Sequence, residues 1–284
     1  MRIRAVGIGP GSFAIGALAL AVFVTSCAGT PSPEPAEEPV PEPPRILSGP
    51  SVPTLPGLEP VARYAGPFAV EYLGNSTILV MGPDGSLVVC DPYSPGDVPY
   101  GLTPLPSNLV ADAVTVSHAH GDHDSIRSVF ADPRVIAAPG SYQVGAIKVT
   151  GFPGLEGSPR GPSRMSNVIF VIEADGAKIV HLGDSGPVTD PAVLEAVSDA
   201  DLVVVNIDMY VITKPDMMPF LDRIRARTIL PSHYPVFAAK PDVDDFLALL
   251  PAGLPVERTG SRLVVAAGGP RRIVVMRAAT QKEP

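Results

Sequence analysis

The run Val114-Thr115-Val116-Ser117-His118-Ala119-His120-Gly121-Asp122-His123-Asp124 constrains this chain more than any other stretch. It opens with β-branched residues, which predict a short buried strand. The strand then breaks into a polar turn that holds three of the chain's five histidines. Imidazole and carboxylate together suit zinc or a similar divalent metal. A tight loop after a strand can point alternate side chains into one pocket, so no helix is needed to gather them. His118 and His120, two apart, are spaced to grip one ion, while Asp122 and His123 turn toward a second. A solvated polar loop is the plainer reading of clustered histidines. It would hold for a single histidine, but the spacing here favours metal.

A metal loop needs a folded frame. The 284 residues allow one large domain or two small ones, and a hydrophobic content of 45% is ample for a core. The 35 prolines and 27 glycines assign much of the chain to loop or linker. The two cysteines, Cys27 and Cys90, make no disulfide framework. Tryptophan is absent, which weighs against aromatic platforms for sugars. Net charge is −8, with no dense Lys/Arg run, so nucleic acid is not an expected partner. Arg223, Arg225 and Arg227 alternate with apolar residues, as one face of a helix leading into a strand would.

The first 60 residues read as export and spacing. Arg2 and Arg4 precede an apolar run from Phe13 to Val24, of signal-peptide length and short for a bilayer span. Val24-Thr25-Ser26-Cys27 resembles a bacterial lipobox, in which Cys27 becomes the lipidated first residue. An ordinary signal peptide with an incidental cysteine, or an uncleaved anchor, is the alternative. Residues 1–27 are thus expected to be a lipoprotein signal, placing the protein in the cell envelope, anchored by acyl chains such as palmitate. Residues 28–60 carry eleven prolines with interspersed glutamates and are expected to be an extended polyproline linker. Its reach is at most roughly 100 Å at about 3.1 Å per residue. A Pro-rich ligand for another protein is the competing reading.

The folded domain is expected over 61–284. Phe68–Tyr72, Thr77–Met81 and Leu87–Cys90 read as strands between Gly74-Asn75 and Pro83-Asp84-Gly85 turns. Beyond the metal loop come a short helix at Ser125–Phe130, a strand at Val135–Ala138 and a strand pair within Tyr142–Thr150. A hairpin of Val168–Glu173 and Lys178–Leu182 turns at Ala174-Asp175-Gly176. Helices are expected at Pro191–Val197, Pro219–Arg225 and Val243–Leu250. Strands are expected at Leu202–Ile207, Thr228–Leu230, Arg262–Ala266 and Arg272–Met276. Strands alternating with helices in two halves fit an α/β layered sandwich. Cys90, ending an apolar strand, reads as a buried small hydrophobe.

His118-x-His120-x-Asp122-His123 resembles the signature of the metallo-β-lactamase-fold hydrolases. His181-Leu182-Gly183-Asp184-Ser185-Gly186 and Pro231-Ser232-His233-Tyr234 resemble that family's next two metal motifs, in order. Tyr72-Leu73-Gly74-Asn75-Ser76 and Val89-Cys90-Asp91-Pro92 resemble its opening strands and Asp-Pro turn. The resemblance covers roughly residues 65 to 275 and is nearest to the branch of ascorbate-phosphate-lactonase-like and other metal-dependent hydrolases. It implies a four-layer αββα sandwich with the site at its edge. It also implies two ions, zinc foremost: His118 and His120 on one, Asp122, His123 and His233 on the other, and Asp184 bridging. Catalysis would rest on Asp122, His123 and Asp184. Asp91 would brace the metal loop, or serve as a satisfied turn residue, or both. His181 reads as supporting rather than ligating. Asn167 either orients the site or caps a turn. Tyr210, Thr213 and Lys214 belong to a loop that contacts substrate or merely covers surface.

In one place the chain departs from the family, which usually gives its first metal a third histidine from the segment before the 168–173 strand. Lys148 to Glu156 contains none, and all five histidines are already placed. Glu156 falls nearest and would ligate through oxygen, unless it is a surface glutamate. A carboxylate there would open the site to manganese or iron. The leading expectation is a hydrolase using metal-activated water on a small ester, lactone, amide or phosphodiester. A catalytically silent metal-binding or envelope-interaction lipoprotein is the competing one.

Overall fold

The computed structural model describes residues 64–94, 103–157, 165–208, 211–234 and 243–280. The leader, Cys27, the 28–60 linker and Tyr210 lie outside these, as does the side chain of Lys214. In chain order the strands begin with β1 (Ala69–Gly74), β2 (Thr77–Met81), β3 (Leu87–Cys90), β4 (Ala113–Thr115) and β5 (Arg134–Ile136). There follow β6 (Gly140–Val144), β7 (Ile147–Leu155), β8 (Ser166–Ala174), β9 (Ala177–His181), helix α1 (Pro191–Val197) and β10 (Leu202–Asn206). The last third holds α2 (Lys214–Arg223), β11 (Thr228–Ser232), α3 (Val243–Leu247), β12 (Val256–Thr259), β13 (Arg262–Val264) and β14 (Arg272–Met276).

These strands form two mixed sheets. One has the order β13-β1-β2-β3-β4-β5, the other β12-β14-β11-β10-β9-β8-β7-β6. Apolar residues of both sheets make one core, with Tyr72, Phe170, Ile172, Ile179 and Val204 fully buried or nearly so. All five residues of β10 are buried, as expected for a central parallel strand covered on both faces. Each Val or Leu buried there contributes roughly 1.5–3 kcal/mol. The architecture is the expected α/β four-layer sandwich.

Topology places the chemistry. β9, β10 and β11 run parallel to one another. β7 and β9 each pair antiparallel with β8, so β7 points the same way. The C-terminal ends of β7, β9, β10 and β11 therefore share one rim, the end of a parallel sheet where ligands are held. Glu156, Asp184, Asp208 and His233 all follow directly on those ends.

Some elements differ from the sequence reading. The helix expected at Ser125–Phe130 is a single 3-10 turn, Ile126–Ser128, because Val129 leaves in extended conformation. Ser125 and Ser128 pair their hydroxyls at 3.0 Å, competing with a longer helix. The second helix starts earlier than Pro219, which sits inside it. Thr213 is its N-cap residue, and the Thr213 hydroxyl donates to Asp216 Oδ2 at 2.6 Å. This gives Thr213 a structural role. α3 ends at Leu247 rather than Leu250, and β12 was not anticipated. Its residues are mostly exposed, and only pairing with β14 makes them a strand.

Candidate metal centre

The loop after β4 is built on Asp91. This residue holds a positive φ of 45° just past β3 and is completely buried. Ser117 N–H donates to its Oδ1 at 2.8 Å, and the Ser117 hydroxyl to its Oδ2 at 2.5 Å. His123 Nδ1 lies 2.8 Å from the same Oδ2. A buried carboxylate accepts here, so His123 carries its proton on Nδ1 and turns Nε2 toward the cleft. Ser117 has spent its hydrogen on Asp91, so its oxygen accepts from His118 Nδ1 at 3.0 Å. His118 too is left with Nε2 as its free donor. Asp91 thus fixes two tautomers at once, directly and through Ser117.

The ligand candidates converge in three overlapping sets whose donor atoms lie within 4.8 Å of one another: His118/His120/Glu156, His118/His123/Asp184 and Asp122/His123/His233. His118 Nε2 is 2.9 Å from His120 Nδ1, and His120 Nδ1 is 3.7 Å from Glu156 Oε2. On the other side His123 Nε2 lies 3.1 Å from His233 Nε2 and 3.6 Å from Asp122 Oδ2. Asp184 stands between, Oδ1 at 3.5 Å from His123 and 3.4 Å from His233, Oδ2 at 4.0 Å from His118. All seven residues singled out in the sequence are therefore in one cleft.

The donor chemistry fits a divalent cation. Imidazole nitrogens face one another at the edge lengths of a coordination polyhedron. Glu156 Oε2 is buried with no hydrogen-bond partner, an atom that a cation or a bound water would satisfy, and the two histidines beside it suit the cation. Burial holds His118 down to about 4, with like-charged His123 adding to it, so its ring is neutral at neutral pH. Burial disfavours charge on His123 also, but Asp184, Asp91 and Asp122 outweigh it and push it up to about 10. Burial would raise Asp184, yet His123, His233 and His118 hold it well below the usual carboxylate range. Burial raises Glu156, with His120 opposing. The cleft demands positive charge.

Supporting residues complete the frame. His181 donates Nε2–H to Ser76 O at 2.8 Å and accepts Gly183 N–H at Nδ1 at 3.2 Å, so it supports the turn rather than facing the cleft. Asn167 gives Nδ2 to Leu182 O at 3.0 Å and accepts Asp184 N–H at 3.1 Å, orienting the Asp184 turn. Gly183 sits at φ 54°, and a Cβ there would lie 2.4 Å from Ser117 Cβ, so the two metal loops touch only because it is glycine. Cys90 is buried, and burial pushes its thiol up to about 12, consistent with an inert packing role.

Sequence reasoning missed three contributors. Asn75 donates to Asp122 O at 3.0 Å and accepts His233 N–H at 2.9 Å, tying two ligand loops together. Asn206 donates to Asp184 Oδ1 at 2.7 Å. Asp208 Oδ2 lies 3.7 Å from His233 Nδ1. The available signal was positional: polar residues closing an apolar strand.

Comparison with known proteins agrees with this geometry. Residues 69–233 match the model of the Beta-lactamase superfamily domain. A UPF0173 metal-dependent hydrolase of Thermococcus onnurineus is 27% identical over 202 residues, 61% of this chain and 88% of that protein. One from Methanosarcina barkeri is 27% identical over 217 residues, 62% of this chain and 88% of its own length. Among solved structures, a Zn-dependent hydrolase assigned to the metallo-β-lactamase superfamily from Thermotoga maritima is 30% identical, with TM-score 0.58 over 74% of this chain and 98% of that one. A Parabacteroides distasonis protein with TM-score 0.52 is 13% identical and shares the fold alone. With the matched domain spanning every ligand candidate from His118 to His233, the chain belongs to the beta-lactamase superfamily, among its metal-dependent hydrolases.

Proposed function

We propose that the protein hydrolyses a small ester, lactone, amide or phosphodiester with metal-activated water at a two-ion centre. His118, His120 and Glu156 would hold one ion, Asp122, His123 and His233 the other, with Asp184 shared. The observation that carries this is the orphaned, buried Glu156 Oε2 beside His118 and His120, whose facing nitrogens lie 2.9 Å apart. It supplies a third donor where the histidine is missing, which favours an enzyme over a silent module. Divalent ions in such a pair lower the proton affinity of water and polarise a carbonyl or phosphoryl oxygen. The chain's part is to hold the donors in register: Asp91 and Ser117 set the imidazole tautomers, and Asn167 and Asn75 fix the ligand loops. Zinc suits the nitrogen-rich Asp122/His123/His233 set, whereas manganese or iron is compatible with the His118/His120/Glu156 set.

Protein purified without added metal should retain divalent ions on elemental analysis. It should turn over at least one class in a panel of esters, lactones, amides and phosphodiesters, and lose that activity to chelator. A metal-free, inactive protein that stays inactive when zinc or manganese is added would overturn the reading.

The sequence of the leader supports a lipoprotein tethered through Cys27, with the 28–60 segment as spacer. No described helix is long and apolar enough to cross a membrane. Metabolic labelling with a radioactive or alkynyl fatty acid should mark the wild type and not Cys27→Ala. An unlabelled wild type that still carries residues 1–27 would remove the lipoprotein proposal.

A further inference from the structure

β10 lies between β9, which leads to Asp184, and β11, which leads to His233. It ends at Asn206, and the chain continues through Ile207, fully buried, to Asp208, so one polar residue closes the strand and a second follows two positions on. Each polar residue reaches sideways to the ligand of one neighbour. Asn206, 1% exposed, donates Nδ2 to Asp184 Oδ1 at 2.7 Å. Its amide cannot be flipped without loss, because its Oδ1 accepts Asp208 N–H at 2.8 Å. Asp208, also buried, sets Oδ2 at 3.7 Å from His233 Nδ1, the ring nitrogen turned away from the cleft.

We propose that Asn206 and Asp208 are positioning residues of the metal centre, one for the shared Asp184 carboxylate and one for the His233 ring. The proposal rests on the two-ion reading above. Asn206 occupies one lone pair of Asp184 Oδ1 and so fixes the rotation of the carboxylate, which decides how its two oxygens divide between the donor sets. Asp208 stands behind the His233 ring with Oδ2 3.7 Å from Nδ1, an electrostatic contact that favours a proton on that nitrogen and leaves Nε2 beside His123 Nε2. A carboxylate behind a ligating histidine orients the ring and raises its basicity. One short strand end thereby sets the angle of two ligands that come from different loops.

Cobalt(II) titrated into metal-free protein gives a dissociation constant and a visible d–d spectrum, neither of which requires substrate. In Asn206→Ala and in Asp208→Ala the constant is expected to rise about 10–100-fold, with a changed spectrum. Asp208→Asn keeps an acceptor oxygen and should recover most of the loss. Circular dichroism and the melting temperature of the metal-free proteins separate folding from ligation. Folded variants with wild-type cobalt affinity and spectrum overturn the proposal, even if their melting temperature falls. Should Asn206→Ala fail to fold, the Asp208→Ala and Asp208→Asn pair decides by the same criterion. A wild type that binds no cobalt would instead strike the two-ion reading itself, and this proposal with it.

Discussion

Hydrolysis by His233→Asn is expected to fall roughly 10³-fold, equivalent to about 4 kcal/mol of transition-state stabilisation. Elemental analysis should show about one ion fewer per chain. His233 is buried, with Nε2 3.1 Å from His123 Nε2 and 3.4 Å from Asp184 Oδ1. Without it, the Asp122/His123 side keeps too few donors to hold an ion tightly. The choice of asparagine matters because His233 has φ 65°, a left-handed conformation that costs most residues roughly 1–2 kcal/mol. Asparagine tolerates that backbone, and His233 N–H can still reach its partner Asn75 O, so the fold survives while the imidazole is lost. A variant with full metal content and unchanged turnover would dismiss His233 as a ligand. Such a result would also leave the left-handed backbone without a functional reason, since strained residues persist where the site demands them.

The parts of this site that were legible in the sequence are those that sit close together in it. The 118–123 cluster is dense enough to be read from spacing alone, and the resemblance then located Asp184 and His233. Glu156 too came from the resemblance, as the residue nearest the place where that family usually supplies a histidine and this chain has none. Strands with buried faces, such as β3, β9 and β14, were placed nearly to the residue, since burial writes an apolar pattern. β12 was not, because Val256, Glu257 and Arg258 are exposed and nothing local marks them as a strand. Pro219 misled in the opposite direction. Proline favours the first turn of a helix, yet here Thr213 and Pro215 begin the helix and Pro219 is carried within it. Asn206 and Asp208 were silent for a different reason. Their partners lie 22 and 25 positions away along the chain, and only the parallel pairing of β9, β10 and β11 brings them side by side.

Glu156 stands where the resemblance leads one to expect a third histidine, and removing it should have opposite effects on stability and metal binding. The end of β7 and the paired Glu156–Ser185 bridge place it against the His118/His120 pair. Its Oε2 is buried without a hydrogen bond, a desolvation cost of about 1–3 kcal/mol in the metal-free protein. Glu156→Ala is therefore expected to raise the melting temperature of the metal-free protein, by about 2–4 °C for each kcal/mol relieved. The same substitution should weaken metal at that set and lower the ion count. A carboxylate oxygen in place of imidazole makes the set harder and more anionic, shifting preference from zinc toward manganese or iron. It also neutralises more of the cation's charge, so water there is acidified less than beside a third histidine. Wild type is accordingly expected to purify with less than two zinc ions per chain and to gain activity on added manganese. Glu156→His should tighten zinc at this set and remove the manganese response. Two tightly held zinc ions in wild type, with neither content nor rate altered in Glu156→Ala, would mean another residue completes the set. A surface glutamate, by contrast, would change neither melting temperature nor metal when replaced, which keeps that plainer reading distinct from a ligand in the same experiment.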